Sequence, residues 1–406
     1  MDKSIGDLFR CYGEEYIRAY NPPINHIKLI RSIRVCKTPA LGGKRIVCNG
    51  CGNIKHIYLS CGNSQCPLCQ NLKREIWQKK LAEKFLNVPY VHTVFTIAHE
   101  LNPLVKINKK EIYNIIMRSA WQCVKNLCSN QKYVGGLPGM VSVLHTFGSD
   151  MKYHIHVHAL ITFGGCDKNG DWVWPKHKKR IAPFRKMRNE FKTCFLKMLE
   201  KQRAKGLIKD VDNMSQLIKI VSNKQWNVRN EYPTANTEIL ERYLARYINR
   251  IAISKSRLEF VKSKSKINDH VNITYKDYRK KRNDQAAPMA LKTINPLVAI
   301  NQFLSHVLPP YFQKSRYYGL HSSSTFNSIK NKLPEKLKRN TQSISLLFSI
   351  LNHMNGISQH VCEYCQHTKF TILPLAADQK WIFQFVTLPS YRAPPRKKKN
   401  YNTIKF

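Results

Sequence analysis

The sequence predicts an α+β protein in which an antiparallel sheet packs on helices, between a small N-terminal metal-binding module and a mostly helical basic C-terminal region. Three observations predict it. The first stretch, to about residue 87, carries seven of the 13 cysteines. From residue 88, short alternating apolar runs interleave with segments of helical periodicity. After residue 262 the chain turns polar and basic. These shifts divide the chain into 1–87, 88–262 and 263–406.

Composition bounds the partners. Lys and Arg number 68 against 25 Asp and Glu, a formal charge of +43. That is far beyond what solubility requires, and a compact body so charged repels itself without a polyanion, so nucleic acid is the expected partner. No apolar run approaches the roughly 18 residues of a spanning helix, and MDKSIGDLFRCYGEEY lacks a signal-peptide core. The expectation is a cytoplasmic protein with no membrane contact. An odd cysteine count without an export signal points to a reducing compartment, where clustered cysteines serve metals.

The N-terminal module is read from Cys48-Asn49-Gly50-Cys51 and Cys66-Pro67-Leu68-Cys69, two C-x-x-C pairs separated by 14 residues. This spacing suits one four-cysteine structural Zn2+ site, with Cys36, His56 and Cys61 as spare donors for a shuffled set or a second zinc. Leu72, Ile76, Leu81 and Phe85 then fall at helical spacing and predict an exit helix. Cys11, Cys123, Cys128, Cys166 and Cys194 are scattered and read as small buried apolar residues.

The middle segment opens with the strand-like HTVFTIAHE, a helix from about Lys110 to Cys128, and two further strands, VSVLHTFG and HIHVHALITF. Alternation projects His154, His156 and His158 to one side. If the strands form a hairpin centred near Asp150 and Met151, residues whose numbers sum to 301 lie opposite each other, so His145 faces His156. His145, His156 and His158 then offer three nitrogens to a metal, with His154 the alternative third ligand. Mg2+ or Mn2+ suits phosphate chemistry, while imidazole also suits softer ions.

A basic helix follows, with Phe184, Met187, Phe191, Phe195 and Met198 along one face. Next, ILERYLARYINRIAISKSRL places Tyr243 and Tyr247 at i and i+4 of a helix. Arg242, Arg246, Arg250 and Arg257 interleave with them and suit a phosphate-facing surface. A phenol is a poor nucleophile at neutral pH, but cationic neighbours and a metal-polarised phosphate make it competent. Attack on a phosphodiester would conserve bond energy in a phosphotyrosine link and needs no nucleotide cofactor, in keeping with the lack of a G-x-x-x-x-G-K-[ST] loop. Beyond it, an apolar helical stretch runs from about Ile300 to Leu308 before Pro309-Pro310. Cys362 and Cys365 form a further C-x-x-C pair without an obvious second half, for which a non-ligand role is expected, and the basic tail Arg396 to Lys399 reads as mobile.

These blocks resemble a known family, the two-tyrosine rolling-circle transposases of the IS91 type in the HUH superfamily. The resemblance covers roughly residues 25 to 325 and rests on CNGCGNIKHIYLSCGNSQCPLCQ, HTVFTIAHEL, LHTFGSDMKYHIHVHALIT, YLARYINRIAISKSRL and FLSHVLPPYFQKSRYYGL, in that order. It implies that His156-Val157-His158 is the His-hydrophobe-His motif and that Tyr243 and Tyr247 are the nucleophile pair. It further implies a ferredoxin-like catalytic sheet, a bacterial, nucleoid-associated protein, and cleavage of single-stranded DNA at element ends through a covalent 5′-phosphotyrosine. Trp226, Tyr317 and Tyr318 are stacking candidates for splayed bases, or equally core aromatics. Gln65 and Lys44 stand where the family pattern suggests histidines. Two other readings share some features: a plasmid replication initiator or relaxase with the same chemistry, and a non-catalytic zinc-dependent nucleic-acid-binding protein.

Overall fold

The structure, a computed structural model, describes residues 4–69, 85–235, 253, 257–280, 286–325, 337 and 361–378. Ser4 opens the first helix, α1 (Ile5–Tyr20): its hydroxyl accepts from the Asp7 N–H while the Asp7 carboxylate accepts from the Ser4 N–H, a capping box that satisfies both ends of the first turn. Pro22-Pro23 lead into α2 (Ile24–Val35), which lies against α1. A hairpin of β1 (Gly43–Cys48) and β2 (Ile54–Tyr58) follows. The expected exit helix at 72–85 lies outside the described residues except for Phe85, which is buried.

The middle of the chain contains β3 (Tyr90–Thr96), α3 (Asn102–Ile107), α4 (Lys109–Ser129), β4 (Gly139–Phe147) and β5 (Tyr153–Thr162). It continues with the short pair β6 (Gly165–Cys166) and β7 (Trp172–Val173), then α5 (Phe184–Ala204), α6 (Met214–Asn223) and β8 (Asn227–Asn230). Later come β9 (Leu258–Val261), β10 (His270–Lys276), β11 (Met289–Ile294), α7 (Pro296–Ser305), β12 (Ser315–Gly319) and β13 (Phe370–Leu375).

The central sheet is antiparallel, in the order β12-β4-β5-β3-β8. One face carries Met140, Leu144, Val157, Ile161 and Phe95, buried against α4 and α5 through Ile116, Val124, Phe191 and Phe195. Phe191 and Phe195 of the basic helix both pack edge-on against Trp226. Burying each such side chain contributes roughly 1.5–3 kcal/mol, so this layer is the platform that makes the sheet rigid. The opposite face carries Val141, Val143 and Leu160 in a second cluster, and it is on this side that the histidines alternate.

A third cluster joins α1 and α2 to β9, β10 and α7, with Phe9 against Phe303 and Tyr12 against Phe260. Met151 and Phe147 of the β4–β5 hairpin enter the same cluster, which ties α1, α2 and α7 to the turn of the central sheet. The expected mostly helical character of 263–406 needs correction for its described part, in which β10, β11, β12 and β13 stand beside the helix α7. Period-two alternation in HVNITYK and MALKTI explains it, since every second side chain is the more buried one at the start of β10 and along β11. Cys123, Cys128, Cys166 and Cys194 are buried as expected, whereas Cys11 is exposed. Among the described residues no helix is long and apolar enough to cross a membrane.

Candidate active site

The β4–β5 hairpin creates the site. Its strands pair in the register that sums to 301 from Met140↔Ile161 to His145↔His156, and only beyond His145 does a bulge shift the register to Phe147↔Tyr153. The turn closes through Gly148 N–H to Lys152 carbonyl and Lys152 N–H to Asp150 carboxylate, with Met151 at φ 62°. Val143 pairs with His158, so His145, His156 and His158 emerge on one face at adjoining positions. All three are buried, and their ligand nitrogens lie within 4.8 Å of one another. His154 is exposed and stands outside this trio. What it contributes is its carbonyl, which accepts from the His156 Nδ1 at 2.9 Å and so fixes the orientation of the His156 ring.

His158 is oriented by a chain of groups that the linear sequence does not bring together. Its Nδ1 lies 3.1 Å from Nε2 of His92 on β3, and the rings stack with centroids 5.3 Å apart. The other nitrogen of His92 faces the Glu231 carboxylate at 3.4 Å. The consistent proton arrangement runs His158 Nδ1–H to His92 Nε2 and His92 Nδ1–H to Glu231, a relay that fixes the orientation of the His158 ring. Burial lowers the pKa of His92, opposed by Glu231, so the ring favours the neutral form this relay needs. Glu231 is placed by its own N–H, which donates to the His92 carbonyl at 2.9 Å just past the end of β8.

His306, from the late block FLSHVLPP, braces the hairpin from beneath. Its Nε2–H donates to the Met151 carbonyl at 2.9 Å, and its Nδ1 accepts from the Thr146 hydroxyl at 3.3 Å. Burial pushes its pKa down to about 4, in keeping with a neutral ring that donates at one nitrogen and accepts at the other. Neither His92, Glu231 nor His306 is singled out by sequence pattern, because each acts through contacts between distant segments. We expect His92→Ala to weaken Mn2+ binding about 10- to 100-fold, the range for lost outer contacts to metal-ligating imidazoles. Calorimetric titration checks this, and an unchanged affinity would mean that His158 is oriented without His92.

The segment expected to form the tyrosine helix, with Tyr243, Tyr247, Arg242, Arg246 and Arg250, lies outside the described residues. Arg257 is described: its Nε donates to the Thr274 carbonyl at 2.9 Å and its guanidinium also reaches the Ser149 carbonyl, so it joins β10 to the hairpin turn. The stacking candidates are engaged in packing. Trp226 is buried and donates to the Val221 carbonyl, Tyr318 stacks on Trp121 at 5.4 Å, and Tyr317 packs beside the Val141 cluster.

The cysteines divide differently from the single set expected of Cys48, Cys51, Cys66 and Cys69. Cys66 and Cys69 gather with Cys36 and Cys61, whose Sγ is 3.7 Å from that of Cys69. Cys48 and Cys51 gather with Cys362 and Cys365. The β1–β2 hairpin is the physical reason. Cys48 and Cys51 sit at its closed end, while Cys36 precedes it and Cys61 follows it at the open end, separated by a strand length of about 17 Å. The same geometry sets Cys362 and Cys365, for which a non-ligand role is expected from sequence, beside Cys48 and Cys51. His56 is exposed on β2, outside both quartets. Gln65 is not a donor to either; its side chain accepts from the Leu308 N–H at 2.9 Å and reaches the Leu308 carbonyl, and Lys44 lies within β1.

The family described as "Putative transposase" matches residues 139–328, which include the histidine hairpin, and that described as "Transposase zinc-binding domain" matches residues 8–97. The chain is 30% identical over 327 residues to "Putative transposase y4qJ" of Sinorhizobium fredii, covering 78% of this chain and 79% of that protein. It is 25% identical over 320 residues to the transposase for insertion sequence element IS801 of Pseudomonas savastanoi pv. phaseolicola, covering 78% of this chain and 75% of that protein. No solved structure is a significant match.

Proposed function

The chain belongs to the IS91-type transposases and carries their zinc-binding domain, and from that premise we propose that it cuts and rejoins single-stranded DNA at the ends of its element by tyrosine attack. The observation that carries this reading is the buried trio His145, His156 and His158, whose ligand nitrogens lie within 4.8 Å of one another and two of whose rings are oriented through their Nδ1 atoms. Three imidazoles of this kind fit Mg2+ or Mn2+ with further positions left for phosphate oxygen, and the ion when bound would polarise the phosphate for attack. The antiparallel sheet with α4 and α5 on its far face serves as the HUH scaffold in this proposal.

The chain's own residues then have distinct tasks. Tyr243 or Tyr247 gives up its phenolic proton and forms the O–P bond, while the bond from phosphorus to the 3′ oxygen breaks and that oxygen leaves with the electron pair to become a 3′-hydroxyl. A 5′-phosphotyrosine link remains, and its attack by a 3′-hydroxyl reverses the step without external energy. Arg242, Arg246 and Arg250 would pair with phosphates beside the phenols. Arg257 is committed to main-chain carbonyls and holds the hairpin turn in place. The excess of basic residues supplies affinity for DNA through counterion release.

The test is incubation of the full chain with single-stranded DNA from the flanks of its own gene and Mn2+, followed by a denaturing gel. A covalent protein–DNA band is expected. Chelation should remove it while leaving much of the DNA affinity, because binding rests on Lys and Arg and cleavage on the histidine trio. Tight binding with no covalent link under any divalent metal would instead support a non-catalytic DNA-binding protein.

A further inference from the structure

We propose that Cys48, Cys51, Cys362 and Cys365 form a second structural zinc centre, separate from the Cys36 quartet, which fastens the segment around β13 to the N-terminal hairpin. The sulfurs have the spacing of a tetrahedral tetrathiolate. Zn–S bonds of about 2.3 Å place sulfurs about 3.8 Å apart, and the Cys48–Cys365 and Cys51–Cys362 separations are 3.5 and 3.8 Å. These cysteines are free thiols rather than disulfides.

The backbones of the two pairs match each other although more than 300 residues separate them. In each, the first cysteine's N–H donates to the carbonyl five residues on, Cys48 to Asn53 and Cys362 to His367. In each, the residue four positions after the first cysteine donates back to its carbonyl, Gly52 to Cys48 and Gln366 to Cys362. Both of those residues lie in the left-handed region, at φ 71° and 59°. Such paired turns aim two thiolates inward from each side. Gly50 permits their approach, since a Cβ there would meet the His367 ring at 2.8 Å and the Cys365 sulfur at 3.3 Å.

Burial alone does not account for the arrangement. β13 pairs with β1 over six residues, yet its side chains are largely exposed, including Ile372 and Leu373. Main-chain pairing of a mostly solvated strand is marginal in water, and here it must also close a loop of some 300 residues. Thiolate coordination supplies the missing stabilisation, and a soft tetrathiolate set selects zinc among the common divalent ions.

The test is the amount of zinc released by a mercurial thiol reagent from the purified full chain, which reports thiolate-held zinc and not any ion at the histidines. Two equivalents per chain are expected from the wild type. Cys362→Ser/Cys365→Ser should release one and expose residues 361–378 to protease, whereas Cys365→His should keep two, because imidazole can replace a thiolate. One equivalent from the wild type, or two from the double serine variant, would overturn the second centre. If the double serine variant aggregates, the wild-type count and the Cys365→His count decide between the same outcomes.

Discussion

Tyr243→Phe/Tyr247→Phe is expected to form no covalent complex with DNA, a loss of roughly a thousandfold or more in cleavage, while fold and DNA affinity survive nearly intact. The double change removes two hydroxyls and nothing else, so it isolates nucleophilicity from packing and charge. If the segment adopts the helix that its spacing predicts, the two phenols lie about 5–6 Å apart at Cβ, close enough to address one phosphate site in turn. Each single Phe variant should therefore retain some cleavage and differ from the other in strand transfer. Denaturing gels of labelled single-stranded oligonucleotide with Mn2+ provide the measurement. A double variant that still links to DNA would place the nucleophile elsewhere in the chain.

His156→Ala and His158→Ala should each lower cleavage by about a hundredfold or more and weaken Mn2+ binding, with DNA affinity changed little. Both side chains are buried beside His145, so each deletion removes a donor that solvent-exposed neighbours cannot replace. His145→Ala should follow the same course, since it pairs directly opposite His156. His154→Ala is the internal control: its ring stands outside the trio and its carbonyl, which positions His156, is retained in the variant. Full nicking by either His156→Ala or His158→Ala would remove the metal-site hypothesis, and a greater loss of Mn2+ affinity from His154→Ala than from His145→Ala would move the third ligand to His154.

The histidine hairpin was legible because its information is local. Alternation assigns side chains to faces, and the turn residues Gly148, Ser149 and Asp150 set a register that any two short strands around them must share. The bulge after His145 was not legible, and it arises where His306 and Thr146 hydrogen-bond across 160 residues. The stacking candidates show the same limit. A tryptophan such as Trp226 has the same appearance in sequence whether it faces DNA or, as here, sits edge-on between Phe191 and Phe195.

By itself the sequence determined which residues can act in pairs: each C-x-x-C and the His-x-His strand, fixed by backbone geometry over a few residues. It also determined the basic surface that calls for a polyanion. Tertiary structure alone decided which pairs meet. The length of the β1–β2 hairpin keeps Cys48 and Cys51 away from Cys66 and Cys69, and strand pairing brings Cys362 and Cys365 to them instead. Packing of β3 beside β5 likewise sets His92 against His158 and draws in Glu231. Such meetings depend on loop closure over tens to hundreds of residues, whose entropic cost grows only slowly with length, so sequence spacing carries little information about them.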